Sequence, residues 1–342
     1  MTVKNLAKAS LIGSSRLIGR YVPFSADELR TVPRELVPFE GDLPSDWGHV
    51  HAQEARRFVV PRVPMHVNNL LYTPEGMAWA DGRLFEKYSI RKPSLRELVR
   101  KPSARRARVI DEAVVTQSET PYTFGDWTSQ LLISILNRYP LTAPLVLPLR
   151  LYERSFVRRD LERLGIEVIP ADVDLRIGHA LVLPRTRPEN AFTPADMRNF
   201  QRAFQIDAPT PRPGSIVYLS REGEASDSFE RRYPSREVAE IVRGLGGRVV
   251  MARETSLDEY IRLAEHAETV VADHGSAICN ILYWKPKRVV ELFSTAWWNP
   301  YFLFFAHAHG VPSYRLMNID DDSHLSERLA EALKARSLQS VA

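Results

Sequence analysis

The chain has 342 residues, a formal net charge of +4 and a single cysteine. The length accommodates two domains, and hydrophobic and charged contents of 44% and 26% are typical of an ordinary soluble globular protein. One cysteine excludes an internal disulfide and suits a reducing compartment, and no apolar stretch reaches the ~20 residues that a membrane-spanning helix requires.

Two segments are rich in basic residues. The first acidic residue is Asp27, which follows several basic residues interspersed with apolar ones, and the segment from Arg91 to Arg108 contains eight Lys or Arg and one acid. Segments of this kind are usually solvated surface. They also suit weak contact with an anionic membrane surface, an acidic glycan or nucleic acid, so these alternatives stay open at this point.

Residues Phe58 to Ile90 combine short apolar pieces with turn signals at Pro74-Glu75-Gly76 and Asp81-Gly82, which predicts hairpins in a small antiparallel region. From Thr128 onwards, helical and strand patterns alternate, which predicts parallel sheets with covered faces. The first elements in chain order are a helix with Leu131, Leu132, Ile135 and Leu136, strand LVLPL, a helix with Val157, Leu161 and Leu164, strand IEVIP and a short helix capped by Thr193. Next come strand SIVYLSR, a helix with Val238, Ile241, Val242 and Leu245, strand RVVMA and a helix opened by Ser256. The last elements are strand TVVAD, a helix after His274, strand RVVELF and a helix near Leu325, Leu329 and Leu333.

The Pro-rich piece QIDAPTPRPG is the best hinge candidate in the chain. We therefore predict an α/β protein with two domains and a cleft between them. The predicted N-terminal domain covers residues 1–190, the hinge covers residues 191–214, and the C-terminal domain covers residues 215–342.

The stretch VVADHGSAICNILYW is the most informative part of the sequence. A buried strand gives way to a helix across His274-Gly275-Ser276, and such a junction presents free backbone N–H groups and the positive end of a helix dipole. These features favour a phosphate or a carboxylate as ligand.

Several familiar sites are absent from the sequence. There is no GxGxxG after a strand, no GxxxxGK[ST] and no HExxH, which argues against dinucleotide, P-loop and zincin sites. The pairs His49/His51 and His307/His309 lack accompanying ligands for zinc. Asp320-Asp321-Asp322 is better explained as an acidic helix entry than as a metal site.

Polar groups stand at the ends of several predicted strands of the second half: Ser220-Arg221, Arg231-Arg232, His274-Gly275-Ser276 and Glu291. Ligands bind beyond the carboxyl ends of parallel strands, so these groups are expected to converge on one crevice. Arg221 would clamp a diphosphate, and Glu291 would accept hydrogen bonds from ribose or sugar hydroxyls. Each residue also has a structural alternative as an ion pair, an edge charge or a helix cap.

The segment from Ile216 to Phe293, with YLSR, RRYPSREVAEIVRGLGG and VVADHGSAICNILYW, resembles glycosyltransferase family 61, and YTFGDWTSQLL is a weaker second match. The resemblance implies a GT-B architecture of two Rossmann-like domains and an inverting transfer from a nucleotide-sugar donor bound by the second domain. It implies no metal. The donor-site residues implied by the family's motifs are Ser220, Arg221, His274, Gly275, Ser276, Asn280 and Glu291.

This chain departs from the family pattern at Ser276, Ala277 and Cys279, which replace alanine, glycine and threonine. In the first domain, Asp126-Trp127 stands where the family usually has His-Trp. For the general base, Asp126 is the first choice and His274 the second.

The resemblance favours an inverting glycosyltransferase acting on a glycan or lipid-linked saccharide acceptor in surface polysaccharide biosynthesis. We expect a cytoplasmic location, with weak contact at the inner face of the plasma membrane and no nucleic-acid partner. The alternatives are a nucleotide-sugar epimerase or hydrolase of GT-B-like fold, and a non-catalytic polyanion-binding protein.

Overall fold

The structure is a computed structural model that describes residues 21–22, 30–31, 39–42, 58–59, 64–81, 83–85, 104–116, 123–183, 192–207, 209–221, 233–251, 257–294, 298–320 and 324–334. The chain divides into two compact units. Unit 1 consists of Met1–Val32 and Phe58–Ala191, and unit 2 consists of Pro33–Arg57 and Phe192–Ala342. None of the helices in the described ranges is long and apolar enough to cross a membrane.

Strands and helices alternate through most of the chain. The strands are β1 (Tyr21–Val22), β2 (Arg30–Thr31), β3 (Glu40–Gly41), β4 (Phe58–Val59), β5 (Met65–Tyr72), β6 (Ala78–Ala80), β7 (Arg83–Phe85), β8 (Arg108–Thr116), β9 (Leu145–Pro148), β10 (Val168–Ala171), β11 (Leu175–Leu183), β12 (Ile216–Ser220), β13 (Arg248–Met251), β14 (Thr269–Asp273), β15 (Arg288–Phe293) and β16 (Ser313–Asn318). The helices are α1 (residues 124–136), α2 (Leu149–Tyr152), α3 (Ser155–Arg163), α4 (Pro194–Ala203), α5 (Ser235–Gly244), α6 (Leu257–Ala264), a 3₁₀ helix (Ser276–Tyr283), α7 (Tyr301–His309) and α8 (Leu325–Lys334).

The sheet of unit 1 is mixed. Its strand order is β1-β7-β6-β5-β11-β8-β9-β10, and β5, β6 and β7 form the antiparallel region that the turn signals predicted. From β11 to β10 the neighbours are parallel. A core cluster that includes Leu70, Val115 and Ile177 is fully buried.

Helix α1 was predicted from the apolar face of Leu131, Leu132, Ile135 and Leu136, and all four side chains are buried. The structure adds that its central segment, Trp127–Leu132, is a π-helix between two α-helical segments. A π segment widens one turn of a helix and breaks its regular period, so residue spacing alone could not predict it.

The main sheet of unit 2 is parallel, with the order β13-β12-β14-β15-β16-β3. Both β14 and β15 are buried along their whole length, as expected for parallel strands covered on both faces. A core cluster with Val238, Val271 and Leu329 unites one face of the sheet with α5 and α8. Helix α7 packs against α4 and the 3₁₀ helix.

Two segments of unit 2 contain helices that refine the sequence-based prediction. The helix after His274 is a 3₁₀ helix, in which Ile278 and Ile281 lie one above the other because that helix has three residues per turn. The stretch predicted as a hinge contains α4, which Thr193 caps as predicted in a reciprocal box with Asp196. Because residues 192–214 group with unit 2, hinge motion there stays a prediction.

Candidate functional site

Arg221 and the turn His274-Gly275-Ser276 lie together at the switch point of the parallel sheet in unit 2. Strands β12, β13, β14, β15 and β16 are arranged as 2-1-3-4-5 in chain order, so successive connections leave β12 in opposite directions. The crevice between β12 and β14 is where sheets of this order bind ligands. Arg221 directly follows β12, and Gly275 lies just after β14.

The Arg221 side chain lies against the backbone of this turn. Its Nη1 donates to the carbonyl oxygen of His274 at 3.4 Å. A Cβ atom on Gly275 would be only 2.6 Å from that same Nη1, so the absence of a side chain permits the close approach. The structure therefore brings together two of the groups that the sequence predicted to converge.

The 3₁₀ helix begins without a side-chain cap. Gly275 occupies its N-cap position, and Ser276 and Ala277 follow it half-buried. The first N–H groups of a helix have no carbonyl partner in a preceding turn, and with the helix dipole they favour an anion. The free amides predicted at this turn do not include that of His274, which donates to Leu292 O at 2.7 Å.

A cluster of three hydrogen-bonded polar side chains lies on one face of the sheet behind this turn. Nδ1 of His274 is hydrogen-bonded to Oε1 of Glu291, and the hydroxyl of Tyr314 donates to Oε2 of Glu291 at 2.5 Å. The His274 ring also meets the edge of Phe302, with ring centroids 5.1 Å apart. Burial and the Glu291 charge raise the pKa of Tyr314, so its phenol stays a proton donor.

Glu291 was predicted to contact hydroxyl groups of a ligand. In the structure its side chain is fully buried and both carboxylate oxygens have protein partners. Glu291 therefore holds the imidazole of His274 from behind. Nothing in the sequence indicates Tyr314, the second partner of Glu291, because that residue comes from the next strand, β16.

Asp273 lies on the opposite face of the sheet, since successive strand residues alternate in direction. Its fully buried carboxylate accepts hydrogen bonds from the Tyr218 hydroxyl at 2.9 and 3.0 Å and from Ser235 Oγ at 2.9 Å. It also accepts from the backbone N–H of Arg221. Burial raises the pKa of Asp273 to about 6, although Tyr218, Ser235 and Arg221 oppose the shift.

Asp273 was not among the predicted site residues. A signal was present in the sequence, because a charged residue closes the otherwise apolar strand TVVAD. A charge at the end of a fully buried strand requires partners in the fold.

Residues 47–290 match the family model of Glycosyltransferase 61, which is more than half of the 342-residue chain. The chain belongs to glycosyltransferase family 61. The family indicates that the protein is a glycosyltransferase, with a sugar donor and an acceptor as substrates. Among curated proteins, no match to the chain was found.

Ser220 and Asn280, two donor-site residues that the family 61 resemblance implied, have buried side chains. Ser220 is buried, and its side chain is hydrogen-bonded to Tyr218. Asn280 is also buried, and its Nδ2 donates to Ala277 O at 2.9 Å within the 3₁₀ helix. Both side chains therefore have hydrogen-bond partners within the protein.

Asp126 lies in unit 1, at the start of α1. Thr123 caps this helix, and its hydroxyl donates to Oδ2 of Asp126 at 2.6 Å. Nε2 of Gln130 donates to Oδ1 of Asp126 at 3.0 Å. The half-buried Asp126 thus takes part in the helix start, and its role as a general base stays a prediction.

Other predictions fall on residues outside the described ranges. These are Arg231-Arg232, the basic opening of the chain and residues 91–103 of the basic segment. Membrane contact through these segments therefore stays a prediction. In the part of the chain that the structure describes, no group of three or more His, Cys, Asp or Glu residues is placed to hold a metal ion.

Proposed function

We propose that this family 61 member is an inverting glycosyltransferase of GT-B architecture with a nucleotide-sugar donor. Its acceptor would be a glycan or a lipid-linked saccharide in surface polysaccharide biosynthesis. The observation that supports the proposal best is the position of Arg221 over Gly275, at the switch point of the sheet. A cation and an uncapped helix start there suit a diphosphate.

In the proposed reaction, an acceptor hydroxyl oxygen forms a bond to the anomeric carbon of the donor sugar. The bond from that carbon to the diphosphate oxygen breaks, and its electron pair leaves with the nucleoside diphosphate. Arg221 and the amides that follow Gly275 stabilise the charge that develops on this leaving group. Because these groups supply positive charge, the proposal requires no metal ion.

The hydroxyl proton passes to a general base. Asp126 is our first candidate, because the family resemblance leads us to expect a basic group at its position. His274 is the second candidate. Its Nδ1 is held by Glu291, which fixes the orientation of the ring and directs chemistry to Nε2.

The proposal is tested with a thermal-shift panel of UDP, GDP, CDP and ADP, followed by calorimetry with the nucleotide that stabilises the protein most. Ligands that bind only the folded state raise its melting temperature. We expect Arg221→Ala to weaken binding by about 2 kcal/mol, the scale of a charge-assisted hydrogen bond.

Arg236→Ala is the matched control, because Arg236 is exposed and its ion pair is with Glu240 on the same helix. It should bind nucleotide like the wild type. Incubation with the nucleotide sugar alone, followed by analysis of the donor, separates transfer from epimerisation. If the wild type binds none of the four nucleotides, the proposed donor site is wrong.

A further inference from the structure

The Asp273 carboxylate joins three parts of unit 2 that adjoin the proposed donor site. Tyr218 comes from β12, Ser235 is the first residue of α5, and the third donor is the backbone amide of Arg221. Two of these donors are hydroxyl groups, which can rotate and act as acceptors. The backbone amide can only donate, so it depends on an acceptor at this position.

Arg221 is therefore fixed at both of its ends by one short segment of chain. Its backbone N–H is held by Asp273, and its guanidinium donates to the carbonyl of the next residue, His274. The backbone of Arg221 is thus held by Asp273, the last residue of β14, and its guanidinium by His274, which follows. A shift of the Asp273 carboxylate would therefore move the backbone of Arg221 and, with it, the Arg221 side chain.

Such a buried charge is costly for folding. The carboxylate is fully buried, and burial raises its pKa to about 6. A neutral group of the same shape would avoid the desolvation of a charge, and replacing buried charges by neutral groups is often stabilising. Stability alone therefore does not account for a carboxylate at this position.

We propose that Asp273 is a positioning residue of the donor site, which holds Arg221 through its backbone amide so that the guanidinium faces the donor diphosphate. This inference rests on the proposed function. The Tyr218 phenol and the Arg221 guanidinium are the titratable and charged groups that act on Asp273 among the described residues, and Ser235 adds a neutral donor.

The first test is calorimetry at pH 7.5 with whichever of UDP, GDP, CDP and ADP stabilises the wild type most. Asp273→Asn keeps the size of the side chain and an oxygen that can accept from the Arg221 amide, but it removes the charge that strengthens this hydrogen bond. We expect it to weaken binding about tenfold while leaving the melting temperature unchanged or higher. A purely structural role would instead lower the melting temperature.

A double-mutant cycle shows whether Asp273 acts through Arg221. In the Arg221→Ala background, Asp273→Asn should cause no further loss of affinity. An equal loss in both backgrounds would overturn the positioning role, and so would wild-type affinity of Asp273→Asn itself. Failure of the wild type to bind any of the four nucleotides would instead overturn the donor site and this inference together.

A pH series adds a second readout. The folded-state pKa of Asp273 lies above its ordinary value of 3.8, so the folded protein holds this proton more tightly than the unfolded chain does. As pH rises from about 4 to about 6, the wild type should lose stability relative to Asp273→Asn. Nucleotide affinity of the wild type should fall below pH 6, relative to the variant, because the nucleotide's own ionisation is common to both proteins.

Ser235 provides a variant that keeps the carboxylate if Asp273→Asn does not fold. Ser235→Ala removes one donor to Asp273 and should weaken nucleotide binding about threefold. Ser235→Thr keeps the hydroxyl and should restore the affinity. If Ser235→Ala binds like the wild type, or if Ser235→Thr does not restore binding, the proposed role of Asp273 is wrong.

Discussion

Two strand-to-helix junctions of this protein begin their helices in different ways. The helix after β8 in unit 1 is capped by Thr123, whose side chain accepts from the Asp126 amide and donates to the Asp126 carboxylate. The helix after β14 in unit 2 starts at Gly275 with no side-chain cap, and the Arg221 guanidinium lies against it. The first helix start has a side-chain cap from within the chain, whereas the second has none and is the anion site that we propose.

The two junctions also differ in the charge that lies beside the helix start, which is negative at the first and positive at the second. A carboxylate, Asp126, lies in the first turn of α1, where negative charge complements the helix dipole. At the second junction the carboxylates of Asp273 and Glu291 are buried on opposite faces of the sheet and have protein partners, and the half-buried Arg221 supplies a cation. In the donor site that we propose at the second junction, both nearby carboxylates are occupied by protein partners, so the anion would meet the Arg221 cation.

The largest effect on folding should come from Glu291→Ala at the second junction. It leaves His274 Nδ1 and the Tyr314 hydroxyl buried without their partner, so we expect the free energy of unfolding to fall by about 3 kcal/mol. Urea denaturation monitored by tryptophan fluorescence measures this loss. Glu291→Gln keeps an acceptor for Tyr314 and should lose less, and equal losses for both variants would contradict this account.

The next effect concerns the chemistry proposed for the first junction. If Asp126 is the general base, Asp126→Asn should fold and bind nucleotide normally but reduce sugar transfer roughly 10²-fold. Asp196→Asn is the matched control, because Asp196 holds the same position in the capping box of α4. Full turnover of Asp126→Asn would assign the base to His274.

A smaller effect should follow from closing the space at the second junction. In Gly275→Ala the new Cβ meets Nη1 of Arg221 and displaces the guanidinium, so we expect nucleotide affinity to fall about tenfold, or about 1.4 kcal/mol. Gly244→Ala is the control, since no atom lies within 4 Å of its Cβ position. Calorimetry on both variants decides, and equal affinities would show that Arg221 does not need the glycine.

The smallest effect should come from removing the cap of the first junction. Thr123→Ala should cost about 1 kcal/mol of unfolding free energy, because the helix start loses its side-chain acceptor. Nucleotide affinity should not change, since the proposed donor site lies in unit 2. A loss of affinity in a stably folded Thr123→Ala protein would show that the two junctions are coupled.

The sequence was sufficient to predict the alternation of strands and helices and the meeting of Arg221 with Gly275. These features follow from local periodicity and from the rule that ligands lie at the carboxyl ends of parallel strands. The order of the strands was not predicted, because pairing between distant segments leaves no local pattern. The partners Tyr218 and Tyr314 were missed for the same reason, since each looks like an ordinary residue of a buried strand.

Residues 33–57 group with unit 2, whereas the predicted N-terminal domain, residues 1–190, includes them. Their strand β3 has two residues, which is too short for any periodicity to reveal it. Strand β3 pairs with β16, and the residue that follows β3 adds side-chain contacts. Asp42 accepts from the Asn318 amide at 2.7 Å and pairs with Arg328 of α8.

The pairing of β3 with β16 has a consequence for the preparation of unit 2 on its own. Gly41 lies so close to β16 that a Cβ atom would be 2.2 Å from the carbonyl oxygen of Leu316. A fragment that starts at residue 192 would leave this side of β16 uncovered, and an uncovered strand recruits other chains. A fragment of unit 2 therefore has to carry β3, either on a separately expressed peptide or through a circularly permuted gene.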